Sequence, residues 1–559
     1  MSLLKGLVRG SVLMPRDNNS PFLLHPHKRG LQNLDRMAGY ANDDAVDMLV
    51  VGAGAGGITL AQRLARAGWR VVILEKGPFW DPDEDWVSDE KGSSQIYWTD
   101  TRIIGGGDPV EMGKNNSGVG VGASMTHFAG YTPRFHPSDF EVRTRDGVAV
   151  DWPVSYWDLK DSFERVEREL PVAGQDWPWG DPHTYPHSAH PISAAASKAW
   201  EGARNHGIEM RVGPVSITNG AFGNRPHCIY RGFCLQGCKV NAKASPLITH
   251  LPDAIEHGVE VRANAQAVRV EIDESSGRVT GVTYVAHGQE RFQRAEAVAV
   301  CGYAIETPRL LLHSTSRRHP NGLGNQSDQV GRYVMVQGAT QVAARFHEDL
   351  RMYKAPPPEV SSEQFYETDE ARGFARGFSI QTVAPLPIGW AEHVMAEGHW
   401  GESLREYMRD YNHWTVLGVL CEFLPQAENR VTLSAVKDAA GVPVANFSHS
   451  RCENDSKNVE YATKVMEEIW QGAGAQDTLK IDRDAHLVGG ARMGFGPEDS
   501  VCDAQHRVWE VPNLFVCDGS VFPTEGAANP ALVIMALADR LGKLLAAKRV
   551  PATPTATAS

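Results

Sequence analysis

Hydrophobic and polar positions along this chain switch between two periods. MLVV, from Met48 to Val51, is apolar and β-branched, GAGAGG interrupts it, and ITLAQRLARAG spaces its apolar residues as a helix does. WRVVILEKG then returns to a continuous apolar run, so Asp47 to Glu75 is predicted to be strand, tight turn, helix and second buried strand. Such a βαβ unit opens a parallel sheet. A second glycine-rich turn, Gly118 to Gly122, leads into MTHFAGYTPRF. Between Val150 and Tyr185 Trp, Pro and Asp dominate, which predicts irregular structure over a pocket. Strand-like alternation returns from Val259 to Ser314, in VEVRANAQAVRVEID, RVTGVTYVAH and AEAVAVCGYAIETPRLLL. Patterns over Gly331–Phe346 and Trp414–Leu433 predict a separate, largely antiparallel sheet, and Asn513–Lys548 reads as strand, loop and helix.

The expected class is α/β (α+β overall): a Rossmann-type dinucleotide-binding domain in discontinuous pieces, with an inserted substrate domain on a largely antiparallel sheet. The predicted boundaries are an N-terminal arm at 1–44, cofactor-domain pieces at 45–140, 216–325 and 481–550, substrate-domain pieces at 141–215 and 326–480, and a disordered tail at 551–559.

Composition narrows the partners. At 559 residues the chain has room to enclose a large cofactor. Its net charge of −13, without a long Lys/Arg run, disfavours nucleic acid. No apolar stretch reaches the roughly 18 residues of a membrane span. The N-terminus lacks the apolar core of a secretory signal, so the expected location is cytoplasmic, or periplasmic if a partner subunit carries the folded protein out. Eight cysteines in a chain of this length do not make a disulfide scaffold.

Gly52, Gly54 and Gly57 form G-x-G-x-x-G between strand and helix, and Glu75 ends the next strand where a carboxylate can bond a ribose hydroxyl. The first glycine permits the turn, the second admits the pyrophosphate and the third lets helix and strand pack. This loop does not choose between FAD and NAD.

Two C-terminal segments do, HLVGGARMG from His486 and CDGSVFPTEGAANPALVIMALADRLGKLL from Cys517. With the glycine loop and AIETPRLLL, they resemble the glucose-methanol-choline (GMC) flavoproteins. The resemblance implies FAD, with His486 as active-site base, Asn529 as its partner, and Asp518 near the phosphoribityl region. It also implies cofactor contacts at Gly122, Thr126, His127, Ala267, Gly519 and Pro530. Read from the residues alone, Asn529 before Pro530 is a helix N-cap, and a helix N-terminus at the flavin would stabilise the charge hydride transfer creates. MTHFAGYTPRF is similar to the flavin-attachment stretch of pyranose oxidases, which makes His127 either a covalent link or a flavin-lining contact.

Cys228, Cys234 and Cys238 follow C-x5-C-x3-C, a spacing that suits a metal or an iron–sulfur cluster. A local disulfide with one free thiol, or inert buried cysteines, are the alternatives. Similarity to GMC-type bacterial sugar dehydrogenases implies a 3Fe-4S cluster, a cytochrome or other carrier as electron acceptor, and a small partner subunit, with the N-terminal arm a candidate contact. Cys301, Cys421, Cys452, Cys502 and Cys517 read as small buried hydrophobes.

The expected activity is dehydrogenation of a secondary or anomeric hydroxyl of a sugar, glycoside or sugar acid, as in a glucoside 3-dehydrogenase. Competing readings are a pyranose or glycoside oxidase using oxygen, a hydroxynitrile lyase of the same fold, and a silent flavin-binding subunit. The aromatic residues between Trp152 and Trp179 are read either as a carbohydrate platform or as packing.

Overall fold

The continuous apolar runs become one parallel sheet. Its strands are β1 (Met48–Val51), β2 (Val71–Leu74), β3 (Val259–Arg262), β4 (Val298–Val300) and β5 (Leu514–Val516). They align in the order β5-β4-β1-β2-β3, every neighbouring pair parallel. β1, β2, β4 and β5 are buried at every residue, as a sheet covered on both faces requires. The computed structural model describes residues 34–87, 89–110 and 117–548, so most of the predicted N-terminal arm and the whole tail at 551–559 lie outside the described residues.

Helix α1 (Ala55–Arg66) follows β1, α2 (Tyr303–His313) follows β4, and α3 (Ala531–Lys548) packs on α1. AIETPRLLL, expected to be strand-like, is therefore helical. Ala304, Ile305, Pro308 and Leu311 recur at helical spacing and all are buried. The alternating stretches after β3 make a separate antiparallel sheet from residues 265–272, 279–286 and 289–294.

The second large sheet has eight strands and only antiparallel pairs. Its centre is Trp414–Cys421, buried throughout, flanked by Gln341–Arg345 and Phe378–Val383. Met335–Gly338 bridges from that centre to Asp484–Val488. The pattern predicted over Trp414–Leu433 divides, because Arg430–Lys437 pairs with Pro443–Ser448 in a different small sheet. Trp414 on the central strand is fully buried in one core cluster with Trp390 and Trp470, and a salt-bridged Arg376 sits among Asp139, Asp146 and Glu422.

The Trp-rich stretch is more ordered than its composition suggests. Ser155 caps a helix, Tyr156–Glu169, by accepting from the Asp158 amide at 3.2 Å. Tyr156, Leu159, Phe163 and Val166 fill the core, and Trp152 and Trp177 are buried with them. Acidic residues on the outward face had masked this apolar stripe.

Backbone contacts between β1 and its neighbours fix the glycine loop. Gly52 has φ +104, and a Cβ there would meet the Cys301 carbonyl at 2.3 Å. At Gly56 a Cβ would lie 2.0 Å from the Cys517 carbonyl, on the strand that ends at the opposite edge of the sheet. Gly56→Ala should therefore lower stability in urea titration by about 1–3 kcal/mol through overpacking against backbone. Gly54→Ala, whose Cβ meets only the Ala123 methyl at 3.3 Å, should cost clearly less.

Candidate active site

A cavity of about 380 Å³ runs from the glycine loop, between the parallel sheet and the eight-stranded sheet, to His486. Gly52, Gly54 and Glu75 line one end. His127, Ala267, Asp518, Gly519, His486, Asn529 and Pro530 line it as well; Ala267 lies two residues from Ala265, whose amide donates to the Glu75 carbonyl, and His486 and Asn529 touch each other. Gly57, Gly122 and Thr126 stand behind this wall. A Cβ on Gly57 would strike the Gly52 carbonyl at 2.0 Å, so its work is helix–strand packing. Gly122, at φ +100, turns the chain into the short helix Ala123–Thr126, and the Thr126 hydroxyl donates to the Ala123 carbonyl at 2.8 Å.

Two carboxylates hold loops while they line the cavity. Glu75 accepts from the amides of Ala53, Gly77 and Gly120 at 2.9, 2.8 and 3.1 Å, clamping both glycine turns together. Asp518 accepts from the Ser520 and Tyr303 amides at 2.8 Å and from the Thr307 hydroxyl at 2.6 Å.

His486 is half-buried and has φ +49, a left-handed backbone that a non-glycine residue adopts at a cost. Its Nδ1 lies 2.7 Å from Oε1 of Gln337, and its Nε2 lies 3.1 Å from Nδ2 of Asn529. Gln337 settles which nitrogen carries the proton. Its own Nε2 donates to the carbonyls of Gly526 and Ala528 at 2.6 and 2.9 Å, which turns Oε1, an acceptor only, towards the imidazole. Nδ1 is therefore the donor. Nε2 keeps its lone pair and receives the Asn529 amide. Burial pushes the imidazole down to about 4, so it is a neutral base at ordinary pH.

Asn529 differs from its expected role. The helix begins at Ala531 and its first turn closes from the Ile534 amide to the Pro530 carbonyl, one residue beyond Asn529. The Asn529 side chain caps nothing. It turns to His486, and its buried Oδ1 has no partner. The helix N-terminus nevertheless faces the cavity through Pro530, Ala531 and Ile534.

His127 is buried edge-on to Tyr97, with ring centroids 4.9 Å apart, and its Nε2 has no hydrogen-bond partner. Burial, then the nearby Lys243, push it down to about 3. A buried unpartnered nitrogen on the wall, a glycine cradle and an orphaned Asn529 oxygen together fit an extended polar cofactor with an aromatic head.

The cysteine triplet does not assemble as expected. Among the described residues no group of three His, Cys, Asp or Glu closes around a metal ion. Cys228, Cys234 and Cys238 are free thiols in a small apolar cluster with Tyr131, Val215 and Ile217. Burial pushes Cys228 up to about 11 and Cys234 up to about 12, so without a metal both stay protonated. Nor does the stretch between Val150 and Tyr185 reach the cavity wall: Trp152 and Trp177 are buried in the core, while Trp157 is exposed.

The comparisons agree with this architecture. The GMC oxidoreductase model matches residues 142–337 and 425–538, and a NAD(P)-binding Rossmann-like domain matches 50–79. The chain is 34% identical to 2-methyl-1,2-propanediol dehydrogenase of Mycolicibacterium austroafricanum over 89% of this chain and 95% of that protein. It is 25% identical to the fructose dehydrogenase large subunit of Gluconobacter japonicus, over 89% and 97% of the two chains. The solved structure of a formate oxidase from Aspergillus oryzae, described for modification of its FAD, superposes with a TM-score of 0.65 at 14% identity, covering 91% of this chain and 99% of that one. This chain belongs to the GMC oxidoreductase family of FAD flavoproteins, and named relatives of it are oxidoreductases acting on hydroxyl groups.

Gln337, absent from the sequence expectations, gives a test. Gln337→Glu places a carboxylate against Nδ1–H and should move the acidic limb of kcat/KM upward from about 4, whereas Gln337→Leu should lower kcat/KM across the profile. The imidazole's depressed value lies below the unfolded value of about 6.5. Its contribution to stability is therefore full above that pH and is lost as pH falls towards 4, so activity and stability should decline together in acid.

Proposed function

We propose that this chain is an FAD-dependent dehydrogenase that oxidises a hydroxyl-bearing carbon of a sugar, glycoside or related polyol and passes the electrons to an external carrier. The observation that carries the reading is the proton-free Nε2 of His486, paired with Asn529 on the wall of the cavity that contains the glycine loop.

A substrate hydroxyl entering between the two side chains donates to Nε2 and accepts from the Asn529 amide. FAD, when bound, supplies the acceptor for the hydride that leaves the carbinol carbon. An imidazole held near 4 cannot strip an alcohol in advance. It takes the proton as the carbon becomes a carbonyl, then releases it readily. Pro530 and Ala531 bring a helix N-terminus to the same end of the cavity, and its partial positive charge favours negative charge there.

His127 is assigned as a flavin-lining contact rather than a covalent link. Acid precipitation should leave the yellow colour in the supernatant, and colour in the pellet would establish the bond.

The proposal extends to a 3Fe-4S cluster on Cys228, Cys234 and Cys238, which would supply one-electron transfer, and to a cytochrome-type acceptor with a small partner subunit. What supports the cluster, besides the spacing, is a local excess of buried positive charge. Lys243 and Arg225 are buried beside these thiols, and neither meets a carboxylate among the described residues. Lys243 Nζ donates only to the carbonyls of Met125, Thr126 and Phe128. An anionic thiolate-bound cluster would balance both charges.

Anaerobic addition of sugars and polyols to purified protein should bleach the flavin, and His486→Ala should slow bleaching by about 10² to 10⁴-fold. Iron content with an EPR signal lost in Cys234→Ser reads the cluster. Stoichiometric peroxide in air would favour an oxidase, and a flavin that no polyol bleaches would sink the proposal.

A further inference from the structure

The eight-stranded sheet supplies one wall of the cavity, including His486 and two glutamines that stand in one row. Gln341 pairs directly with Gly418 on the central strand, and Gly418 pairs on its other side with Gln381. Directly opposed residues in antiparallel strands share a face. Both glutamines line the cavity, as does Leu420, the next central-strand residue on that face. Two strand spacings separate the glutamine backbones by about 10 Å, which lets two extended side chains converge over the central strand. Nothing lies between them but glycine. A Cβ on Gly418 would approach the Val383 methyl at 2.9 Å and the Gln341 Cγ at 3.3 Å, so the notch exists only because that residue has no side chain.

Neither glutamine amide is bonded within the protein among the described residues, and Gln341 is the buried one of the two, Gln381 being half-buried. Gln341 is 6% exposed and its Oε1 is buried without a hydrogen-bond partner. Apart from main-chain pairing, Gln381 likewise has no bond from its amide among the described residues. The contrast with Gln337, four residues before Gln341, is direct, because that buried amide makes all its bonds within the protein. Leaving a buried amide unpaired destabilises the fold, and such groups are retained where a ligand completes them.

We propose that Gln341 and Gln381, on either side of the Gly418 notch, bind the non-reacting hydroxyl groups of a neutral polyhydroxylated substrate, so that the enzyme prefers vicinal diols and sugars to simple alcohols. This rests on the alcohol-oxidation reading above and narrows it. The acceptor on Gln341 requires a donor from the substrate. A hydroxyl both donates and accepts, and so suits an amide, whereas a carboxylate would set negative charge against Oε1. Sugar acids are therefore disfavoured. A site that hydrogen-bonds a substrate hydroxyl discriminates strongly against the analogue lacking it.

The test uses the holoenzyme with 1,2-propanediol, methyl glucoside and 1-propanol as donors, following flavin bleaching anaerobically and kcat/KM with an artificial acceptor. Gln341→Met and Gln381→Met keep the side-chain volume. Each should lower kcat/KM for the diol or the glycoside by about tenfold or more, mainly through KM, and leave 1-propanol within about twofold. Melting temperature should stay level or rise, because an unpartnered amide is removed. Equal losses on all donors, no loss on any, or a lowered melting temperature with unchanged preference would overturn the assignment. Wild-type flavin that none of the three donors bleaches would instead overturn the alcohol reading and take this inference with it.

Discussion

An amide whose nitrogen is held by two carbonyls can present its oxygen in only one direction, and the arrangement of His486 and Asn529 hangs on that restriction at Gln337. The carbonyls belong to Gly526 and Ala528, in the loop that also carries Asn529. One side chain thus sets the protonation pattern of His486 and anchors the segment that delivers its partner. The left-handed backbone at His486 needs such bracing, since nothing local to a histidine favours φ +49. The strand bearing Gln337 is itself paired to the strand bearing His486, so donor and acceptor sit on adjacent rungs of one sheet.

The two sheets divide the labour. The parallel sheet offers backbone: glycines that let the chain approach closely, amides clamped by Glu75, and a helix N-terminus. The antiparallel sheet offers side chains at intervals its alternation fixes, and Gln341, Gln381 and His486 line the cavity from it. A cavity at the junction can change substrate by altering one sheet while the other keeps its hold on the dinucleotide.

Much of this was legible in the sequence where sterics or periodicity leave a strong trace. Continuous apolar runs gave β1, β2 and β4 because a doubly covered parallel strand has no polar face. GAGAGG marked the turn because only glycine fits against the Cys301 carbonyl. His486 stood out through motif resemblance alone. Asn529 was legible as a residue but not in its geometry: a polar residue before proline fits a cap, yet the helix starts one residue later and frees the amide. Gln337, Gln341 and Gln381 were passed over because one polar residue in an apolar strand reads as a solvent-facing position. Only the fold shows that Gln341 and Gln381 line a cavity and that Gln337 is buried against His486. The tryptophans from Trp152 to Trp179 drew attention by composition, whereas Trp152 and Trp177 pack in the core with a helix whose apolar stripe lies under acidic residues, and Trp157 stays exposed.

The order of strands in the parallel sheet bears on how the protein is made. β1 lies between β2, its near neighbour in sequence, and β4, which in turn needs β5 from almost the end of the chain. The cradle around Gly56 is closed by the carbonyl of Cys517, so a ribosome-bound chain lacks a finished dinucleotide site until Cys517 has been made, long after the glycine loop. Until then one edge of an apolar parallel sheet waits unpaired, a state that folds slowly and invites association with other chains. Protection of that unpaired edge until β5 arrives therefore bears on the yield of folded protein.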